Sequence, residues 1–272
     1  MNINCVRFLA LTLVLISLVY IFYSICDARK GSFFSNIVAP KRVTYILAFG
    51  DSLTRGYVSP STGRRDHPYS KILSKTLKYL HSKDDIFIVD NYGKAGEQAL
   101  GTAQERLTAA LRRRFYKWVI ILTGTNDLAA YSKHKDSRKR FHNDTVFITA
   151  LFSKIKTLSN MAMHTGARVF LGTIFSRQCE EQLKNKRCDK LANNRKTLNN
   201  KIRNYVLDTK GLLILVDFDR EFPYKEMSQQ QKQLYWQDDV HFTEAGYERM
   251  AKFIYTTMFP YLPERHYIRP EP

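Results

Sequence analysis

The sequence predicts an α/β protein, a parallel sheet with helices on both faces. Three observations lead there. Short apolar runs rich in Val, Ile, Leu, Phe and Tyr recur at Val43–Phe49, Ile86–Asn91, Trp118–Thr123, Ala167–Thr173 and Leu212–Asp217, as strands buried on both faces do. Longer stretches with apolar residues at helical spacing lie between and after them, at about 68–81, 99–115, 144–164, 189–209 and 243–258. That alternation calls for right-handed crossovers between parallel strands. Finally, 272 residues leave enough chain for one domain with a sizeable core once the first 30 are set aside. A 44% hydrophobic and 13% aromatic composition belongs to a globular chain, not a disordered one.

The chain opens on Phe8–Cys26, 19 residues without a charge, preceded by Arg7 and followed by Asp27, Arg29 and Lys30. A run this long can span a bilayer and reads as a signal anchor. Small residues at Ser24-Ile25-Cys26 keep a cleaved signal peptide as the alternative. A buried core helix fits less well, because no face of the run is polar. The expected organisation is therefore an anchor or signal peptide over 1–30, a basic linker over 31–42, a globular domain over 43–262 and a tail over 263–272. The protein is expected to be held at a membrane by this single segment, or to be secreted, periplasmic or lumenal if it is cleaved.

In an open α/β sheet, ligands bind outside the carboxyl ends of the strands. The first predicted strand ends in Gly50-Asp51-Ser52-Leu53. Gly, Asp and Ser are ordinary turn residues, but a strand-end serine is also where a nucleophile stands when a base can reach it. The second ends in Asn91–Gln98, where Gly93 and Gly96 fall just before a predicted helix. Glycine lets a backbone approach a ligand, and an N–H at a helix start can bind a developing anion. By itself the stretch also fits a plain glycine-containing loop. The third ends in Gly124-Thr125-Asn126-Asp127, with an amide donor at Asn126 or simply an Asx turn. Arg112-Arg113-Arg114 closes the helix before it, where cations meet the negative end of the dipole and solvent.

After the last strand come Asp238 and His241, three apart, a spacing that lets a carboxylate hold one imidazole nitrogen while the other faces a serine. Thr243 and Glu244 then supply a cap and first turn. His67, His81, His134, His142, His164 and His266 have no acidic partner in a comparable setting. Of the cysteines, Cys5 and Cys26 belong to the apolar segment; Cys179 and Cys188, nine apart, form a loop disulfide in an oxidising lumen or remain two thiols. Asn143-Asp144-Thr145 is an N-glycosylation sequon and equally a helix cap.

Together these pieces resemble the SGNH hydrolase superfamily, the GDSL lipase/esterase group. Gly50-Asp51-Ser52-Leu53 matches the first block, Gly96 the second, Gly124-Thr125-Asn126-Asp127 the third and Asp238-Asp239-Val240-His241 the last, over about Val43 to Phe259. The resemblance implies a flavodoxin-like, three-layer α/β/α fold with a five-stranded parallel sheet in the order 2-1-3-4-5. It also implies ester hydrolysis without metal or cofactor. Carried over, it makes Ser52 the nucleophile, His241 its base and Asp238 the orienting acid, with Asp239 a competitor for that role. The Ser52 N–H, the Gly96 N–H and the Asn126 amide become the oxyanion hole, and Asp51 and Asp127 turn-formers.

The expected substrate is a small-molecule, lipid or glycan ester. A net charge of +18 favours anionic partners. Two basic stretches, Lys133–Arg140 and Arg177–Lys190, should emerge beside the site. They would draw in a lysophospholipid or acidic glycan, rest on an anionic membrane, or be ordinary solvated loops. No nucleic-acid module is visible. The first strand is not followed by Gly-x-Gly-x-x-Gly or a phosphate-loop lysine, which disfavours a nucleotide or flavin binder. A catalytically silent, anchored binding module would need a departure at a key position, and there is none.

Overall fold

Five parallel strands, β1 (Arg42–Gly50), β2 (Asp85–Gly93), β3 (Trp118–Leu122), β4 (Arg168–Gly172) and β5 (Leu213–Val216), form one sheet in the order β2-β1-β3-β4-β5. They belong to a computed structural model that describes residues 41–58, 66–81, 85–133, 139–181, 185–209 and 211–262. The apolar segment Phe8–Cys26 and the tail 263–272 lie outside the described residues. Among the described residues no helix is long and apolar enough to cross a membrane.

The sheet's pleat sorts its side chains into two cores. Ile46 and Ala48 of β1, Trp118, Ile120 and Leu122 of β3 and Phe170 of β4 face one way. There they meet Tyr69, Leu73 and Leu77 of α2 (Tyr69–His81) and Met250 and Ile254 of α9 (Glu244–Met258). Leu47, Phe49, Val119, Ile121, Val169 and Leu171 face the other way. That side is covered by α3 (Ala103–Arg113), α5 (Asp144–His164) and α6 (Lys186–Leu207). Period-2 strands between period-3.6 helices make the three-layer α/β/α arrangement. Truncating a buried ring such as Phe170 would cost about 3–5 kcal/mol.

The outer strands differ from the expectation of burial on both faces. β2 lies at the edge, and its Ile86 is exposed; β5, at the other edge, leaves Ile214 and Leu215 half-buried. Short helices were not legible: α1 (Ser52–Arg55), α4 (Thr125–Lys133), α7 (Phe218–Glu221) and α8 (Gln229–Tyr235) are too brief for periodicity to show. The chain leaves β1 toward β2, then returns to place β3 on β1's other side. In an open sheet such a reversal is where a ligand crevice lies, and here it falls at the carboxyl end of β1, where Ser52 follows the strand.

Candidate active site

Ser52 is the first residue of α1, one turn of helix that starts as β1 ends. Asp51 caps it, its Oδ1 accepting the Leu53 N–H at 3.0 Å. Gly50 is required for a steric reason: a Cβ there would sit 2.1 Å from the Leu122 carbonyl oxygen and 2.3 Å from Thr54 Oγ1. Strand, turn and helix are thus pressed against β3, and the serine is held in one place.

His241 comes from the loop between α8 and α9. A bridge between Trp236 and Phe242 and the Gln237 N–H donated to the His241 carbonyl (2.9 Å) pinch that loop into a tight turn. Phe242 is fully buried against Trp236, Phe175 and Phe222. Asp238 Oδ1 accepts the N–H groups of Val240 and His241, both at 2.7 Å, and its Oδ2 lies 2.9 Å from His241 Nδ1. His241 Nε2 lies 3.0 Å from Ser52 Oγ. The carboxylate places the ring proton on Nδ1, which leaves Nε2 to accept from the serine hydroxyl. Partial burial works to raise the Asp238 pKa, but the hydrogen bonds from the His241 ring and the two N–H groups together hold it down at about 2. Tyr57 packs a tilted ring 4.7 Å from the imidazole. Asp239 takes no part in this line: its Oδ1 accepts the Cys179 N–H at 2.6 Å.

Gly96 sits on a turn, not at a helix start, since α3 begins only at Ala103. Its φ of +73° is the left-handed conformation that favours glycine, and a Cβ there would meet nothing within 4 Å, so this backbone borders open space. Asn126 lies in the first turn of α4, and its amide donates to the Glu97 carbonyl at 3.0 Å. Asp127 accepts the N–H groups of Ala99 (2.7 Å) and Leu100 (2.9 Å). Burial raises its pKa despite those two bonds.

A buried ion pair ties this loop to the end of β1. Glu97 is almost wholly buried, and Arg106 of α3 reaches both its carboxylate oxygens. The same guanidinium donates to the Gly50 carbonyl at 2.9 Å and to the Tyr92 carbonyl, and lies 4.1 Å over the Phe49 ring. One side chain therefore joins the ends of β1 and β2 to the turn that carries Gly96. Nothing in the spacing of Glu97 and Arg106 signals this.

Asp51 lies beneath both halves. It is fully buried, its Oδ2 has no hydrogen-bond partner, and burial pushes its carboxyl up to about 7, with the Leu53 N–H working the other way. Asp127 raises it further, while His241 and Arg177 lower it.

Two members of the expected basic rim, Arg177 and Lys190, are engaged within the protein. Residues 134–138 and 182–184 lie outside the described residues. Arg177 is buried and donates to the Thr125 carbonyl at 3.1 Å, with Asp239 at 3.9 Å. Lys190 pairs with Asp144 at 2.7 Å. Lys133, Lys139, Arg140, Lys186 and Arg187 are exposed. Cys179 and Cys188 are joined in a disulfide with Cα atoms 5.6 Å apart. Asn143 caps α5, its side chain accepting the Val146 N–H at 2.9 Å. His67 does have an acidic neighbour, Glu248 at 3.7 Å, brought to it from α9. Among the described residues no three His, Cys, Asp or Glu side chains cluster as metal ligands.

Residues 48–249 match the GDSL-like lipase/acylhydrolase family, a span that holds Ser52, Gly96, Asn126, Asp238 and His241. Comparison with curated proteins returns no match. Among solved structures, the fold is similar to a catalytic mutant of an acetylxylan esterase from Geobacillus stearothermophilus, at 16% identity and a TM-score of 0.59 over 80% of this chain and 95% of that one. It is also similar to a second acetyl xylan esterase, at 16% identity and 0.59 over 78% and 98%. A GDSL-like lipase from Bacteroides thetaiotaomicron aligns at 18% identity and 0.54 over 86% and 98%. At such identities the likeness is one of fold.

Proposed function

The chain belongs to the GDSL-like lipase/acylhydrolase family, and from that premise we propose that it hydrolyses a carboxylic ester through an acyl-enzyme on Ser52. The observation that carries the reading is the unbroken line from Asp238 through His241 to Ser52, with contacts of 2.9 and 3.0 Å. Ser52 Oγ attacks the acyl carbon as its proton passes to His241 Nε2. His241 returns that proton to the alkoxide as the ester C–O bond breaks. Water then gives a proton to His241, its oxygen bonds to the acyl carbon, and Ser52 leaves with its proton restored. Asp238 orients the ring and stabilises the imidazolium. The Ser52 and Gly96 N–H groups and the Asn126 amide receive the oxyanion.

The ester is a lipid acyl ester or an O-acetylated carbohydrate. Phe8–Cys26 acts as the membrane anchor, a placement that a mature N-terminus after Cys26 would overturn. For the chemistry, the full chain should hydrolyse p-nitrophenyl acetate and take up a serine-reactive fluorophosphonate. Unchanged labelling of Ser52→Ala would remove Ser52 as the nucleophile, and a panel of short-chain, long-chain, glycan and lysophospholipid esters identifies the substrate.

A further inference from the structure

Large exposed hydrophobic side chains are not scattered over the described residues. Val43 and Ile86, register partners across β1 and β2, open the amino end of the sheet. Phe115, 66% exposed, stands just ahead of β3, beside Gly166 of the α5–β4 turn. Leu207, 81% exposed, ends α6, Leu212 precedes β5, and Phe259 follows α9. Each of these helices runs back from the carboxyl end, so its last residues arrive at the amino end; Tyr79 near the end of α2 joins them. Of nine such side chains, only Val146 and Leu234 lie elsewhere.

Exposed cations share this end: Lys78, Arg112, Arg113 and Lys117. Of the acids described at this end, Asp85 is held by Arg42 at 3.0 Å and Asp208 is exposed. Between the last turns of α3 and α5 runs an open groove of about 510 Å³, lined by Leu111 and Met161 together with Arg112 and His164. Apolar side chains among cations suit a phospholipid surface, where rings and aliphatic chains enter the acyl boundary and cations meet phosphates. The chain also enters β1 here, at Arg42, after 41 residues that include the 19-residue apolar run.

We propose that the amino end of the sheet docks on a phospholipid bilayer, so that Ser52 faces away from it and receives water-borne esters. The second clause rests on the nucleophile assigned above. At about 3.3 Å per residue, the nine residues of β1 carry the site about 25–30 Å from the docked end. The headgroup layer is only about 5–8 Å deep on each side of the bilayer. The acyl carbonyls of the same membrane therefore lie out of reach of Ser52. The arrangement favours a glycan or other soluble ester over a lipid of the docking bilayer, and assigns Arg112 a membrane partner, whereas Arg113 donates to the Tyr92 hydroxyl and Arg114 pairs with Asp90.

The test reconstitutes the full chain in vesicles of brominated phosphatidylcholine and phosphatidylglycerol, with an added tryptophan as probe. Read as the difference from the parent chain, whose own Trp118 and Trp236 also emit, the added emission of Phe115→Trp should be quenched and that of Leu234→Trp, near the site, should not. The same vesicles should support hydrolysis of p-nitrophenyl acetate but leave their own lipids intact. Quenching of Leu234→Trp, no quenching of either probe, hydrolysis of the vesicle lipids, or heparin binding in place of lipid contact each overturns the proposal. Fluorophosphonate labelling in the same sample separates the two readings. Labelled Ser52 with unquenched Phe115→Trp removes the docking alone, and quenched Phe115→Trp with unlabelled Ser52 removes the chemistry alone.

Discussion

Two arms of the molecule converge on Ser52, and they are built on opposite plans. The arm that carries Gly96 and Asn126 is fixed from below by charge: Glu97 and Arg106 pair in the interior, and Asp127 grips Ala99 and Leu100. The arm that carries His241 is a surface turn closed on itself, its Asp238 side chain 46% exposed and bound to its own loop's N–H groups. The difference fits the roles proposed for the two arms. Groups that meet a developing oxyanion work best when they need not reorganise, and a buried, fully paired frame supplies that. A base must gain and lose a proton, which a dry frame of fixed charge would oppose. Asp51 lies under the point where the two plans meet.

Asp51→Asn should give the largest effect, and it appears in stability. An ordinary carboxyl of 3.8 in the unfolded chain rises to about 7 in the folded one. Between those values the folded state holds a proton that the unfolded state has released. Stability from this group is therefore full below about pH 4, falls as pH rises toward 7, and stays low above it, by about 4 kcal/mol in total. Asn keeps the cap to Leu53 and carries no charge. Thermal melts at pH 5 and pH 8 should differ less in the variant than in the parent, with the variant's gain larger at the higher pH. Equal pH dependence in the two would remove Asp51 as a buried acid.

Arg106→Lys probes the fixed arm. Lysine keeps the charge beside Glu97 but cannot reach Glu97, Gly50 and Tyr92 together, because the planar fork is lost. The turn at Gly96 then shifts relative to Ser52, and displacement by a fraction of an ångström costs roughly 10- to 100-fold in kcat. KM and the pH profile should stay put, since the His241 arm is untouched. A purely structural role would lower Tm and leave kcat per folded molecule unchanged.

How far these arms could be read beforehand differs as well. Ser52, Asn126, Asp238 and His241 each follow a strand end or precede a helix, so local pattern and turn chemistry reach them. Gly96 differs from its expected setting: it sits in the turn that Glu97 closes on Lys94 and Arg106 ties down, several residues before α3 begins. Glu97 and Arg106, nine apart across an irregular turn, share no helical or strand period, and only the folded loop brings them together. Arg177 sits in a basic stretch, and composition cannot tell a buried guanidinium from a solvated one. The sheet was legible because five runs of apolar residues are long enough to show a period, whereas α4, nine residues opening on Thr125-Asn126-Asp127, looked like turn chemistry throughout.

Asp239→Asn should have the smallest effect, and it separates the two plans most directly. Asp239 is the His241 arm's outer tie, accepting the Cys179 N–H beside the Cys179–Cys188 disulfide and standing 3.9 Å from Arg177. Were the His241 arm held from outside, as the Gly96 arm is by Arg106, loosening this tie would lower kcat as Arg106→Lys does. Yet the contacts that fix the ring lie inside the turn: Asp238 on its own backbone, and Trp236 paired with Phe242 over the aromatic core. With its carboxylate 42% exposed, Asp239 and Arg177 contribute at most about 1 kcal/mol, or about fivefold in any constant they feed. kcat should therefore stay within about fivefold of the parent, while reducing the disulfide, which closes a loop of separation 9, lowers stability by about 3 kcal/mol. A loss in Asp239→Asn as large as that in Arg106→Lys would mean that both arms are held from outside and that the contrast between them is false.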